Sequence, residues 1–504
     1  MVKQETSVVD IEQPQELELA TTNVSHEKKG ISVEVQEALD YEYTPEEEKR
    51  VVRKFDMNIL IYLFFLYMLS FLDRGNIGNA NTAGMSKDLN MSDSQYQWLL
   101  TIFYIFYICF EFMILCYKIF PPRLYVPTIV IGWGITSTCC AAAQKWEHLM
   151  GLRALLGIFE ASFGPGAILY ISFFYYRHEV AAKNAIFLSS APLATTFSGA
   201  LAYGITKHNL AIASWRVLFL VEGLPTIVVG AIGYYAIPNG PTTCRFLTEH
   251  EKRIAGARMA KQTGRVNMEK TLHFKEMLRA AIDIKVWIPM IMYFSINVPF
   301  SSLPVFTPAI IEGMGFTSVN SQGLSALPYI YTFLTMLGAA YLSDRIKRRG
   351  IVIAFLALHG AAGYLILALS TTVGARYFAL FLAAGGIFPC IALVLSWQSN
   401  NQGTESQRAT GFVLLQTLGQ SGPLVGTRLF PSTDAPLYHK GFWVSFGFCC
   451  LLFACACTLM THLYFENKKL DARYGPIEES DEVEVTSDAY NAEGEFNPRF
   501  RYIM

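Results

Sequence analysis

Phe71–Asn81 reads FLDRGNIGNAN and lies at the far end of an apolar run, NILIYLFFLYMLS (Asn58–Ser70), that carries no charge. Together they make a segment of about 23 residues, long enough to cross a bilayer as a helix. An aspartate or arginine at the centre of such a helix costs about 3 kcal/mol on insertion scales. Asp73 and Arg74 must therefore face a polar cavity or find partners. Gly75 and Gly78 remove side chains beside them, so a neighbouring helix or a ligand can approach the backbone. The alternative is that the charged pair marks the end of a shorter helix. Ile77 and the small residues after it still read as buried, which favours the longer segment.

Composition points the same way. Of 504 residues, 52% are hydrophobic and 16% charged, against roughly 25% charged in soluble chains. A net charge of −1 gives no sign of a nucleic-acid partner. The ten cysteines fall almost all in apolar runs without metal-ligand spacing, and read as small packing residues. No metal or nucleophile constellation stands out in the apolar runs, so neither an enzyme nor a cofactor is expected.

Residues 1 to about 54 are polar and acidic and lack a core to offset ordering entropy, so a disordered tail is expected. The tail has no basic n-region followed by an apolar h-region, hence no cleaved signal is expected. Spans follow at about 58–80, 95–117, 124–143, 150–174, 181–205, 215–237, 286–311, 322–343, 351–370, 376–398, 408–430 and 441–465. The longest polar break, 238–285, divides these twelve into six plus six: a first bundle over 55–237, a second over 286–466, and a tail over 467–504. The central break carries ten Lys and Arg residues from Arg245 to Lys285, and the break after span 8 carries Arg345, Lys347, Arg348 and Arg349. Breaks of the other parity are poor in bases. The positive-inside bias then places both termini and the central loop in the cytoplasm. Asn90-Met-Ser92 is a glycosylation sequon in an outward loop, close against span 2.

Orientation fixes depth. At 1.5 Å per residue, Asp73 and Arg74 lie about 10 Å below the outer end of span 1, and Glu160 of span 4 about 15 Å below it. Arg153 precedes Glu160 by seven residues, two turns, on the same helix face. Charges from separate helices thus gather near the midplane. They can form a structural ion-pair network fastening span 1 to span 4, or an ion and anion site, the default reading of intramembrane ionisable residues. Weaker signals follow. Glu111 reads as a gate or a cavity residue, and Trp215, Arg216 and Glu222 as interfacial anchoring of span 6. Asn297 sits in span 7 among Pro299, Pro304 and Pro308, a pattern for a bending helix that lines a cavity. Gln416 and Gln420 in the glycine-rich span 11 are candidate neutral substrate contacts.

Gly338-x(5)-Asp344-Arg345-x-x-Arg348-Arg349 after span 8 resembles the basic turn of the major facilitator superfamily. The resemblance is closer to the fungal allantoate permease family of anion:cation symporters. It is carried by Leu72-Asp-Arg-Gly-Asn-Ile-Gly-Asn-Ala80, Arg153-x(3)-Gly157-x-x-Glu160-Ala and Trp215-Arg-x-x-Phe219-x-x-Glu222-Gly. Trp397-x-x-Asn-Asn401 with Arg408-Ala-x-Gly411 belongs to it too. Similarity to the nicotinate-permease branch implies an all-α membrane protein of two six-helix bundles working by alternating access. It implies a monomer in the plasma membrane that imports a small organic anion, such as nicotinate, together with protons. Pantothenate, biotin, allantoate or a small peptide are alternative cargoes. By residue match the resemblance gives proton coupling and substrate binding to Asp73, Arg74, Arg153 and Glu160. Taken with the residue reading, proton coupling is expected at Asp73 and Glu160, substrate binding at Arg74, Asn76, Arg153, Asn297, Gln416 and Gln420, and gating at Asp344, Arg345, Arg348, Asn401 and Arg408. Two departures stand out: the matching turn of the first half, Lys118–Arg123, lacks the aspartate, and Gln420 replaces an asparagine frequent in relatives. A drug/proton exporter would want a greasier cavity without an anion-seeking arginine. A nutrient sensor on this fold would usually add a longer signalling tail.

Overall fold

The computed structural model describes residues 37–208, 211–263, 281–402, 405–475 and 501–504. Among them the regular structure is helical throughout. That follows from an apolar sequence in a solvent that cannot satisfy backbone groups: each span must bond its own N–H and C=O groups. The twelve expected spans correspond to α1 (Ile61–Thr82), α2 (Asp93–Phe110), α3 (Pro122–Cys140), α4 (Trp146–Glu160, continued by Phe163–Ile171), α5 (Arg177–Thr206) and α6 (Ser214–Ala236) in a first bundle. The second bundle has α7 (Ile284–Glu312), α8 (Ser318–Ile346), α9 (Arg349–Leu369), α10 (Val373–Asn400), α11 (Glu405–Gly419, continued by Gly422–Gly426) and α12 (His439–Tyr474). Ten of the described helices are long and apolar enough to cross a membrane. Of the remaining two spans, α3 is a single 19-residue helix, and α11 is cut by Gly419-Gln-Ser-Gly-Pro423.

Among the described residues, a small unit comprises 37–55 together with 240–263. Residues 45–55, expected as the end of a disordered tail, form a helix (Pro45–Phe55). The sequence signal was present: Thr44 and Glu47 make a reciprocal capping box, with Thr44 N–H to Glu47 Oε2 at 2.9 Å and Glu47 N–H to Thr44 Oγ1 at 3.3 Å. Ion pairs join this helix to Glu249–Thr263: Arg258–Glu48 at 2.6 Å, Lys54–Glu251 at 2.7 Å and His250–Glu47 at 3.0 Å. The Thr44 amide, and after it His250, hold the Glu47 carboxyl down at about 2. The expected disorder of residues 1–36, and the bases from Arg265 to Arg279, lie outside the described residues.

In the larger unit the two bundles meet along α1, α5, α7 and α8. The end at which α1, α5 and α7 finish, termed distal, is joined across the bundles by hydrogen bonds. Gln322 Nε2 donates to Asn79 O (3.3 Å), Thr206 to Gln322 Oε1 (2.7 Å) and Ser318 to Thr82 O (2.9 Å). Thr101 meets Thr427 (3.1 Å), and Arg428 Nε donates to Thr101 (3.3 Å). Gly78 is needed here, because a Cβ would collide with the Val305 carbonyl of α7. The opposite, proximal end is where the first bundle hands over to the second. α7 stays one helix despite Pro289, Pro299, Pro304 and Pro308; Ser302 and Thr307 bond carbonyls four residues back, Val298 O and Leu303 O.

Candidate functional site

α4 breaks immediately after Glu160. Pro165 has no N–H for the Ala161 carbonyl, and the chain turns at Ala161 and Ser162 before resuming at Phe163. Gly157 lets α4 lie against α2, since a Cβ there would meet the Phe103 carbonyl. This carries the fully buried Glu160 towards α1. Ser70 and Arg74 are one turn apart on α1 and share a face. Both reach the same carboxylate oxygen: Arg74 NH2 at 2.9 Å, its Nε at 3.2 Å, and Ser70 Oγ at 3.1 Å. Oε1 of Glu160 has no hydrogen-bond partner. The Arg74 guanidinium also lies over Phe71 (4.9 Å), Tyr107 (5.1 Å) and Phe103 (5.3 Å), contacts that favour a cation in a dry site.

Arg153 is 2% exposed and lies 5.4 Å from the same Phe103 ring. Its Nε and NH1 have no partner. Two guanidinium groups thus share the Phe103 ring, and of the two only Arg74 is ion-paired with Glu160.

Asp73 turns elsewhere. Adjacent helix positions differ by about 100° in direction, so when Arg74 faces α4, Asp73 faces α3 and α6. It accepts hydrogen bonds from Ser137 and from Thr226 (3.2 Å). The expected single constellation of Asp73, Arg74, Arg153 and Glu160 is therefore two clusters. The second contains Glu222, which the sequence pattern placed at the interface with Trp215. That reading is corrected: Glu222 is 2% exposed, accepts from Ser198 at 3.2 Å, and has its other oxygen unpartnered. The signal was its spacing, seven residues past Trp215, about 10 Å further into the span. Asn79 Nδ2 donates to Ser198 at 2.8 Å. Thr226 also donates to the backbone carbonyl of Glu222 at 3.1 Å, and Gln322 to that of Asn79. A run of buried polar contacts, partly through the main chain, thus leads from Asp73 by Thr226, Glu222, Ser198 and Asn79 to the distal Gln322. Neither Ser198 nor Gln322 stood out in the sequence.

A central cavity of about 20 Å³ lies between the bundles, room for about one water. Arg74, Tyr107, Asn297, Gln416 and Gln420 line it, with Tyr67 and Tyr293. Ile168 and Leu188 of the first bundle and Ile391 and Leu395 of the second also line it. Asn297 donates to the Gly419 carbonyl at 3.3 Å, while Oε1 of Gln416 is buried without a partner. Arg153 and Asn76 are not among the lining residues. Asn76 is fully buried with both amide atoms unpartnered. Glu111 is buried where α2 tightens into a 3₁₀ turn (Glu111–Leu115) and is likewise unpartnered.

The expected gating residues scatter. Asp344 pairs with Arg349 at 3.2 Å across the left-handed Lys347. Arg345 and Arg348 are exposed, so the aspartate is held by the arginine that the sequence reading left out. Asn401 binds the backbone of Ile503 at the proximal end. The side chain of Arg408 lies outside the described residues. Asn90 adopts a left-handed turn (φ 50°), and Ser92 of its sequon caps α2.

Comparison with known proteins agrees with this architecture. The model of the Major Facilitator Superfamily matches residues 63–427. An uncharacterised transporter of Schizosaccharomyces pombe is 32% identical over 467 residues, 91% of this chain and 90% of that protein. The high-affinity nicotinic acid transporter of Saccharomyces cerevisiae is 30% identical over 459 residues, 90% of this chain and 85% of that protein. Among solved structures, the proton:xylose symporter XylE aligns with a TM-score of 0.62 at 13% identity, covering 81% of this chain and 96% of that one. The chain is a multi-pass membrane protein, a transporter and not an enzyme, and it belongs to the Major Facilitator Superfamily.

Proposed function

We propose that this transporter is a proton-coupled symporter that imports a small organic carboxylate across the plasma membrane, with nicotinate as the leading cargo, and that it falls in the allantoate permease family. The observation that carries the reading is a buried arginine that borders the central cavity while paired with a carboxylate of a neighbouring helix. Arg74 is held by Glu160 at 2.9 Å and borders the cavity between the bundles. A guanidinium can take a carboxylate through two parallel hydrogen bonds. The 30% identity to a nicotinic acid transporter supports the cargo.

Coupling follows from competition. In the empty site Arg74 is held by Glu160. A proton on Glu160 removes that claim and turns the carboxyl into a hydrogen-bond donor, which releases Arg74 to an incoming anion. Proton and anion therefore favour each other's binding. Asp73, in its separate cluster, is the second proton carrier. With both ends of the chain cytoplasmic, as the Lys/Arg bias indicates, the hydrogen-bonded distal end faces outward and the proximal end is the side poised to open. Asp344 with Arg349 then latches the inner turn between α8 and α9. The working unit is a monomer.

The test is uptake of radiolabelled nicotinate by purified protein in proteoliposomes, with and without an inward proton gradient. Accumulation should require the gradient and collapse with a protonophore. Glu160→Gln freezes a neutral side chain of the same shape, so that variant should exchange labelled for unlabelled nicotinate yet fail to accumulate it. Accumulation driven by a sodium gradient, or loss of exchange in Glu160→Gln, would sink the reading.

A further inference from the structure

At the proximal end of the second bundle, the segment Arg501–Met504 lies across α7, α10 and α12. Its backbone is bonded by two asparagine amides. Tyr502 N–H donates to Asn467 Oδ1 and Asn467 Nδ2 donates to Tyr502 O, both at 2.8 Å. Ile503 N–H donates to Asn401 Oδ1 at 2.8 Å, and Ile503 O accepts from Asn401 Nδ2 at 3.0 Å and from the Trp397 indole at 2.6 Å. Each amide satisfies both backbone groups of one residue, as a neighbouring strand would. The side chains are bound as well. Arg501 donates to Asp471 and to the Gly475 carbonyl, both at 2.7 Å. Tyr502, 6% exposed, takes a hydrogen bond from Lys285 (2.7 Å), whose ammonium also stands 4.5 Å from the ring centroid. Met504 borders a hollow of about 290 Å³ with Ile351, Met460 and Phe465.

We propose that α7, α10 and α12 form a peptide-binding slot whose ligand is an extended segment of the sequence Arg-Tyr-Ile-Met, supplied in cis by residues 501–504. Backbone bonds give the slot its grip; Asp471, Lys285 and the Met504 hollow give it selectivity. This accounts for Trp397 and Asn401, sequence motif residues that otherwise stand apart from the transport site. A docked segment ties three proximal helix ends together. Its release frees them to move independently, which makes the slot a restraint on the proximal end of the second bundle.

The inference does not depend on the cargo, and its test needs none. The full chain carrying the photo-reactive residue p-benzoylphenylalanine in place of Tyr502 is irradiated in detergent and its crosslinks are mapped. Crosslinks within one chain to residues around Lys285 and Asn467 are expected. A fluorescent peptide of residues 497–504 is also titrated onto the chain with Arg501, Tyr502, Ile503 and Met504 all replaced by glycine, where binding is expected, and onto the unaltered chain, where the slot is filled. Asn467→Asp keeps the acceptor and loses the donor, and should weaken peptide binding about tenfold, without disturbing the monodisperse elution of the protein. Crosslinks to other regions, crosslinked dimers, or equal peptide binding to the filled and emptied chains would each overturn the proposal.

Discussion

In the first bundle, Asp73, Arg74, Arg153, Glu160 and Glu222 all lie within the packed interior, at or below 2% exposure except Arg74, whose side chain keeps 11%. Around the same cavity the second bundle presents Asn297, Gln416 and Gln420, and no buried Asp or Glu is found among its described residues. Burying a charge is costly unless it is paired, whereas an amide needs only hydrogen-bond partners. On the proposed reading, the half that turns a cation to the cavity carries the expense of ion chemistry, and the half that is neutral around the cavity is free to vary its contacts with a cargo. On the function proposed above, that difference is a division of labour: one bundle for coupling, the other for shape and selectivity.

The largest effect expected on this view is at Arg74. Arg74→Ala removes the cation that borders the cavity and leaves Glu160 with only Ser70 as a hydrogen-bond partner. Loss of a charge-assisted contact costs about 1.5–3 kcal/mol, roughly 10- to 150-fold in binding. Nicotinate binding by isothermal titration should fall by that amount, while the same loss at Gln420→Ala would erase the contrast between the bundles.

Next comes Glu222. Glu222→Gln keeps an acceptor for Ser198, whereas Glu222→Leu removes it and leaves the buried Ser198 hydroxyl without that bond. The leucine variant should unfold with a stability lower by about 1–3 kcal/mol, the cost of leaving buried partners unsatisfied. The glutamine variant should stay close to the parent on denaturation. If Glu222 belongs with Asp73 in proton handling, the glutamine variant will also lose gradient-driven accumulation while retaining exchange. Accumulation equal to the parent would return Glu222 to a purely structural part.

What could be read from the chain beforehand follows the same physics. Twelve apolar runs and the placement of Asp73, Arg74, Arg153 and Glu160 within them were legible, because burying charge is rare and conspicuous. Direction around a helix was not. Asp73 and Arg74 are neighbours in sequence, yet serve different clusters, and only the packing of α3, α4 and α6 shows it. Glu222 was misplaced because the tryptophan and arginine two turns earlier look like an interfacial anchor. Arg349 was passed over in favour of Arg345 and Arg348, since a run of bases does not say which one the left-handed Lys347 turns toward Asp344. The small capped helix Pro45–Phe55 was hidden by its polarity: its stabilising partners are charges more than 190 positions away.

A smaller effect tests the neutral half. Oε1 of Gln416 is buried beside the cavity without a partner, so it is free to accept from a cargo. Gln416→Leu should raise the KM for nicotinate about fivefold, the value of one neutral hydrogen bond near 1 kcal/mol, with little change in how accumulation depends on the proton gradient. Uptake measured at two proton gradients checks both statements. A variant that lost coupling and kept its KM would reverse the proposed division.

The smallest effect falls where the two halves join. Gln322 of α8 bridges the bundles twice, donating to Asn79 O and accepting from Thr206, and Asn79 in turn leads through Ser198 to Glu222. A state open at the distal end must break both bridges. Gln322→Leu breaks them in advance and leaves the described interior of the first bundle unaltered. Two neutral hydrogen bonds, set against the water that replaces them, leave a bias of about 1 kcal/mol, or about fivefold in the ratio of distally open to distally closed molecules. Labelling of a cysteine placed at Ser325, which lies beside Gly199 on the bundle interface, reads that ratio directly with a membrane-impermeant maleimide. The labelling rate should rise about fivefold in Gln322→Leu and by less in Gln322→Glu, which retains the acceptor for Thr206 but loses the donor to the Asn79 carbonyl. A variant labelled no faster than the parent would mean that the Ser318–Thr82 and Thr101–Thr427 bonds hold the distal end shut on their own, and that Asn79 is an end point of the buried chain and not its link to the gate.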